Sequence, residues 1–472
     1  MSKKNPHIQP DKFRDSLATV QEDGKRNWIY PKKVSGKFYR WRTYVSWVLL
    51  GILFAGPFIQ VGGRPWFLFN IFERKFIIFG AVFWPQDTHL LIFLLLIFVV
   101  FIILFTVVFG RVFCGWACPQ TLFMEMVFRK IEYWIEGDAN QQRQLNAMEW
   151  NGEKIRKKGF KMTLFVLISL LISHTVMAYL IGLDKVVEIV SQPPSQNLSG
   201  FIGLMAFTGI FLFVFTWFRE QACLVVCPYG RLQGVLLDNN SINVSYDYVR
   251  GEPRAPIRKN QATEAPKGDC IDCGLCVQVC PTGIDIRNGI QMECVNCTAC
   301  MDACDEVMVK VDRPLGLIRY ASENSIQQGK QQLVTPRVKG YSVILVILMA
   351  MFIGLLVTRD DLGATVMRFS GMTFQERENG QISNLYQITI INKTFEAQQV
   401  GLGAEDEKYH IEIIGDQNWT IPGQTKFEGR FFVVISGENV KANQENIHLN
   451  LLQNGKIIER KKTSFVAPLS QK

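Results

Sequence analysis

The stretch CIDCGLCVQVCPTGIDIRNGIQMECVNCTACMDACD, residues 270–305, holds eight of the chain's twelve cysteines in two runs of one pattern. Cys270, Cys273, Cys276 and Cys280, followed by Pro281, recur 24 residues later as Cys294, Cys297, Cys300 and Cys304. This is the C-x2-C-x2-C-x3-C spacing of bacterial two-cluster ferredoxins. Three thiolates on a short loop can wrap one [4Fe–4S] cube while the fourth, on a following helical turn, reaches the other. The expected ligand sets are therefore Cys270, Cys273, Cys276 and Cys304 for one cluster, and Cys294, Cys297, Cys300 and Cys280 for the other. Zinc favours paired C-x2-C groups over four-cysteine runs. Disulfides are rare in a reducing cytoplasm, where the charge pattern below puts this segment. Asp305 stands where a second proline is common, which removes no ligand.

Outward from this stretch the composition is that of a membrane protein: 48% of the 472 residues are hydrophobic, 12% aromatic and only 20% charged. Five runs approach the ~20 apolar residues that cross a bilayer: 41–59, 90–109, 162–182, 201–218 and 341–358. That is too many for buried core helices. Lysine and arginine are retained on the cytoplasmic side of a membrane. Ten of them precede residue 41 and nine lie between Arg111 and Lys161, whereas the loop between the third and fourth runs offers only Lys185. The N-terminus and the ferredoxin segment are therefore expected inside, and the region after residue 358 outside. The basic start lacks the apolar core and cleavage site of a secretory leader, so no cleaved leader is expected. The net charge of +9 reflects topology rather than nucleic-acid binding. Segment 65–84 is apolar but interrupted by Glu73, Arg74 and Lys75, with Trp66 and Trp84 near its ends. It reads as interfacial or re-entrant rather than as a sixth span.

The other four cysteines form two matched pairs, Cys114 and Cys118 in FCGWACP and Cys223 and Cys227 in ACLVVCP. Each is C-x3-C-P just past a span. Cys114 to Cys223, Cys118 to Cys227 and Pro119 to Pro228 are each 109 residues apart, an internal repeat of two spans and a cysteine pair. Pro119 suits the first position of a helix capped by Cys118, and Leu122, Phe123, Met126, Val127, Ile131, Trp134 and Ile135 follow at helical spacing. A cysteine at a helix N-terminus has a lowered pKa. A single pair would read as inert buried cysteine. Two pairs on one membrane face point to metal or redox chemistry: Cu(I) above all, zinc, or a redox-active dithiol. Met124 and Met126 are explained by helix packing, and His174, inside the third run, by a hydrogen-bonded packing role.

Beyond residue 358 the pattern changes to short alternating strands at 382–391, 410–414, 427–435, 447–451 and 457–465, with turns at Ile421-Pro422-Gly423 and Asn454-Gly455. This predicts a β-sandwich without an inter-sheet disulfide, serving for docking. The fold class is thus a polytopic α-helical membrane protein of about five spans in two pseudo-repeated helix pairs. It carries an inserted two-cluster ferredoxin module and a C-terminal immunoglobulin-like β-sandwich. The expected division is 1–40, basic N-terminus; 41–237, four-span membrane domain; 238–340, ferredoxin-like domain; 341–358, fifth span; 359–472, immunoglobulin-like domain.

This layout, with FCGWACPQ, CLVVCPYGRLQ and the eight-cysteine module, resembles the cytochrome c oxidase accessory protein family CcoG, also called FixG or RdxA. The resemblance covers nearly the whole chain. It implies a bacterial inner-membrane protein acting in assembly of the cbb-type haem–copper oxidase, a cupric reductase that converts Cu(II) to Cu(I) before copper is passed on. Its cofactors would be two [4Fe–4S] clusters with copper as substrate or bound ion, and Cys114, Cys118, Cys223 and Cys227 would hold and reduce the copper. Its partners would be oxidase assembly factors, a copper chaperone or transporter and an unidentified electron donor, and a homodimer stays open. Two alternatives remain: a quinol-dehydrogenase-like membrane electron carrier, against which the external β-domain weighs, and a non-catalytic assembly scaffold with structural clusters.

Overall fold

The fold is a computed structural model, which describes residues 18–468 apart from 22, 73, 74, 85, 86, 258–266, 370, 378, 395, 416–418, 441 and 454. The basic residues Lys3, Lys4, Lys12 and Arg14, the charges Glu73 and Arg74, and the turn residue Asn454 lie outside the described residues. The chain divides into two compact units: residues 1–60, 65–73 and 92–351, and residues 61–64, 74–91 and 352–472.

Helices form at all five apolar runs: α1 (Lys37–Ala55), α2 (Thr88–Phe109), α3 (Gly152–Ile181), α4 (Leu198–Phe213, continued by a π-helical turn Val214–Phe218) and α5 (Pro336–Val357). Among the described residues four of them, α2 to α5, are long and apolar enough to cross a membrane. At about 1.5 Å per residue, the 22 residues of α2 reach the ~30 Å of a hydrocarbon core. The first helix, α1, does not meet that measure, because Lys37, Arg40 and Arg42 occupy its first two turns. The described residues of segment 65–84 contain no helix; they hold short strands at Phe67–Asn70, Lys75–Ile78 and Ala81–Phe83, the last two paired antiparallel.

In the first unit α3 and α4 pack together. Ser173 and Thr208, both buried, share a 2.7 Å hydrogen bond across them. Below it Phe128 lies between Phe165 (4.8 Å, edge-on) and Phe215 (4.8 Å, stacked). Phe128 belongs to a second π-helical segment, Leu122–Phe128, which directly follows the first C-x3-C-P. The His174 ring is satisfied on its own helix, 2.6 Å from the Leu170 carbonyl.

The second unit is a two-sheet sandwich of antiparallel strands: β1 (Leu362–Arg368), β2 (Gln375–Glu376), β3 (Gln381–Asn392), β4 (Gln398–Ala404), β5 (His410–Ile414), β6 (Trp419–Ile421), β7 (Lys426–Ser436), β8 (Gln444–Gln453) and β9 (Lys456–Val466). One sheet has the order β5-β7-β3-β1, with β2 on β3, and the other β6-β4-β8-β9. Alternation decides which face is inside: Ile382, Asn384, Tyr386, Ile388 and Ile390 on β3 are all buried. In place of a disulfide, Asn384 joins the sheets by giving and taking hydrogen bonds with the Val466 backbone (2.7 and 3.0 Å). Tyr386 adds a third link, donating to the Ser464 carbonyl at 2.8 Å.

Candidate electron-transfer site

The eight-cysteine stretch is held by a two-stranded ribbon, Asn243–Tyr246 paired antiparallel with Ile318–Ala321. Its two loops repeat the same backbone. Asp272 (φ 54°) and Gly274 (φ 67°) in the first correspond to Asn296 (φ 53°) and Thr298 (φ 63°) in the second, again 24 positions on. Left-handed residues at these points curl each loop into a cup and then start a helix, Leu275–Gln278 after Gly274 and Ala299–Lys310 after Thr298. The first cup uses glycine, which adopts that conformation freely. The second uses a β-branched threonine, for which it is strained.

The folded loops enclose two cavities. One is lined by Cys270, Cys273, Cys276 and Cys304, with Tyr246 and Met308. The other is lined by Cys280, Cys294, Cys297 and Cys300, with Cys276 at its edge. Cys280 and Cys304 thus each face the cavity of the opposite run. Apolar side chains, among them Leu317 and Ile318 in the first and Val244 and Ile284 in the second, complete the walls. Burial pushes the thiols up, to about 12 for Cys276, Cys294 and Cys304 and about 11 for Cys297. A buried thiolate needs a cation, and a group of four irons supplies one. Four convergent thiols in an apolar shell fit a [4Fe–4S] cluster in each cavity. Cys273 is the exposed member of the first set.

The C-x3-C-P cysteines occupy equivalent backbone positions. Cys114 lies in a short helix, Val112–Trp116, and Cys223 in a π-helical turn, Ala222–Val226. Cys118 and Cys227 are extended N-caps, each with its proline at the first helical position. Burial pushes Cys114 and Cys223 up to about 12, and the other cysteines of the set lie close enough to add to the effect. Cys114 donates to Gln233 Oε1 at 3.2 Å. Gln233 is fully buried, and the buried Thr121 side chain stands against Cys223. Among the described residues no three His, Cys, Asp or Glu side chains converge tightly enough to hold a single metal ion.

The segment that carries Cys114 and Cys118 packs directly against the loop of the second cavity. A Cβ on Gly115, between Cys114 and Cys118, would lie 2.4 Å from the Asn296 carbonyl oxygen and 2.7 Å from that of Val295, so only glycine lets the two loops touch. Arg42 spans the same junction, with Nε donating to the Gly115 carbonyl (3.0 Å) and Nη1 to that of Cys297 (2.7 Å). Arg111 hydrogen-bonds the carbonyls of Met292 and Gly230. Trp116 Nε1 donates to the Tyr320 hydroxyl at 2.9 Å. Sequence reasoning missed Arg42, Arg111, Gln233 and Thr121. For the two arginines the available signal was a charged residue at the rim of an apolar run.

Three family models match the chain: a 4Fe-4S dicluster domain over residues 218–323, a 4Fe-4S binding domain over 91–137, and the IG-like fold at the C-terminal of FixG over 352–468. The chain is 33% identical over 406 residues to Protein RdxA of Cereibacter sphaeroides, covering 82% of each chain. It is 31% identical over 450 residues to Protein RdxB of the same organism, covering 90% of this chain and 93% of RdxB. With the nitrogen fixation protein FixG of Rhizobium meliloti it shares 38% identity over 315 residues, 63% of this chain and 58% of FixG. With cysteine-lined cavities, membrane-length helices and relatives at this level over most of its length, the chain is a membrane iron–sulfur electron-transfer protein and belongs to the FixG/RdxA family.

Proposed function

We propose that this carrier reduces Cu(II) to Cu(I) at Cys114, Cys118, Cys223 and Cys227 and retains the product there for delivery to a cbb-type oxidase during its assembly. The single observation that carries the reading is the close approach of Gly115 to Asn296, which sets the thiol set against the loop lining the second cavity. One cluster would be held by Cys270, Cys273, Cys276 and Cys304, the other by Cys294, Cys297, Cys300 and Cys280; support comes from the lining of the two cavities. When bound, the clusters supply one-electron chemistry. Each Cu(II) takes one electron, and the thiols that bind the product release their protons to water. Thiolate prefers Cu(I) to Cu(II), so reduction and retention favour one another. The lysine and arginine asymmetry supports a bacterial cytoplasmic-membrane location with the ferredoxin module in the cytoplasm and the β-sandwich in the periplasm. Assembly factors and a copper chaperone or transporter would be the partners.

The test is double replacement of Cys114 and Cys118 by serine in the full-length protein. Iron content and cluster spectrum should be unchanged while Cu(II) reduction and copper retention are lost. Normal copper reduction in that variant would return the C-x3-C-P cysteines to a structural role. A second reading has its own support: the 4Fe-4S binding domain match over 91–137 encloses Cys114 and Cys118, which favours a third cluster on the thiol set. Iron analysis separates the two, because a third cluster adds four irons that the double variant loses.

A further inference from the structure

Of the arginines described, Arg42, Arg111, Arg129 and Arg219 are buried, at 5%, 5%, 2% and 6% exposure. Two have carboxylates: Arg129 pairs with Glu125 (2.9 Å) and Arg219 with Glu132 (2.7 Å). The other two have none. Among the described residues Arg42 and Arg111 make no ion pair, and what they touch is backbone oxygen: Gly115 and Cys297 for Arg42, Met292 and Gly230 for Arg111. Arg111 Nε has no partner at all among those residues. Carbonyl dipoles satisfy hydrogen-bonding groups but leave a full positive charge out of water, which is unfavourable without a counter-charge.

The position of these charges indicates what neutralises them. Met292 and Cys297 bracket Cys294 and belong to the loop of the second cavity. Gly115 sits between Cys114 and Cys118, and Gly230 in the helix that Cys227 caps. Both guanidiniums therefore lie between the second cavity and the thiol set. The first cavity differs, because its arginine, Arg287, is already paired with Asp285 and Asp272. A [4Fe–4S] core with four thiolates is an anion that gains one more negative charge on reduction, and nearby charge and burial set its potential.

We propose that Arg42 and Arg111 are the fixed counter-charges of the second cluster and make it the stronger electron acceptor of the pair, so that an electron received at the first cluster is drawn toward the thiol set. The inference rests on the two-cluster reading but not on copper. It gives the carrier a direction: entry at the cavity of exposed Cys273, exit at the loop that touches Gly115. Arg42 and Arg111 are positioning residues, acting through their charge on groups they do not ligate.

The experiment is an anaerobic redox titration of the full-length, iron-loaded protein in detergent, followed by the electron paramagnetic resonance of each cluster. Two separate midpoints are expected. Arg42→Gln and Arg111→Gln should each lower the upper midpoint and leave the lower one in place, with iron per chain unchanged, and together they should bring the two toward one value. Arg42→Lys keeps the charge and should keep most of the separation. Unmoved midpoints in iron-replete Gln variants would overturn the proposal, as would a Lys variant that shifts as far as Gln. If one variant fails to load iron, the other and Arg42→Lys still decide the matter. Failure of the copper reading leaves these midpoints where they are, so the two ideas fail separately.

Discussion

Glu132 and Arg219 face each other through two hydrogen bonds, Oε1 to Nη1 at 2.7 Å and Oε2 to Nη2 at 2.8 Å, with both side chains buried. The pair ties the helix Arg129–Ile135, downstream of the first C-x3-C-P, to the turn that leads into the second. Arg219 has φ 53°, a conformation that a long side chain adopts only when something holds it. Lys161 Nζ stands 3.8 Å from Glu132 and 2.9 Å from Glu136, extending the network to α3. Glu132→Gln leaves buried Arg219 with only the longer contact to Glu220, at 3.6 Å, and should cost about 3 kcal/mol, the lower end for a broken buried pair. Thermal unfolding of the detergent-solubilised variant measures it, and a melting temperature equal to that of the parent protein would contradict the assignment.

The crossed cavities predict a specific pattern of metal loss. Cys280→Ala should remove the second cluster and spare the first, although Cys280 belongs to the first run; Cys304→Ala should do the converse. Iron analysis should give about eight irons per chain for the parent and about four for each variant, since each cluster holds four. Loss of the first cluster on changing Cys280 would mean that each run binds on its own.

Gly115→Ala tests the junction. Its methyl group meets the backbone oxygens of Val295 and Asn296, and backbone moves less easily than a side chain. Overpacking of this kind costs about 1–3 kcal/mol. The variant should keep both cluster signals yet lose rate in Cu(II) reduction, and full-rate reduction would show that the close approach has no part in electron transfer.

Asp87 is buried and accepts from Arg359 (Nη2, 2.6 Å) and Lys393 (Nζ, 2.8 Å). Burial opposes ionisation, but Lys393 and Arg359 together hold its carboxyl below the usual aspartate value of 3.8. A depressed carboxylate contributes stability that is present above the unfolded-state pKa and lost as pH falls through the folded value. The melting temperature of the β-sandwich should therefore fall as pH drops below about 3.8, and less steeply in Asp87→Asn, which starts lower. Equal pH slopes in the two proteins would remove Asp87 from the account.

Orientation is open to a protease added to intact spheroplasts. Only the region after residue 358 should be cut, because the basic segments sit at the opposite ends of the spans. Cleavage between residues 238 and 340 under those conditions would reverse the topology.

The β-sandwich was legible because β3 buries every second residue from Ile382 to Ile390, and period two survives in the sequence whatever packs against it. The cluster cysteines were legible for a related reason: loop chemistry fixes their spacing locally. The first span was legible as a helix, but Arg42 near its start was not singled out, and it turned out to be a buried contact to Cys297. Gln233 carries no local pattern at all, and Arg111 shows only a charge at the rim of an apolar run. They matter through carbonyls and thiols distant in sequence, and such partners emerge only when the chain is folded. Segment 65–84, read as interfacial rather than as a sixth span, holds short paired strands, and strands of three or four residues are too brief to leave a readable period.

The exchange of Cys280 and Cys304 between cavities has a consequence for anyone wishing to cut the carrier down. A fragment ending before Cys294 would leave the first cup one thiol short and strand Cys280 with nothing to face. The two cavities form a clasp, each lending the other its fourth thiol, so a one-centre version calls for a new fourth ligand rather than for truncation.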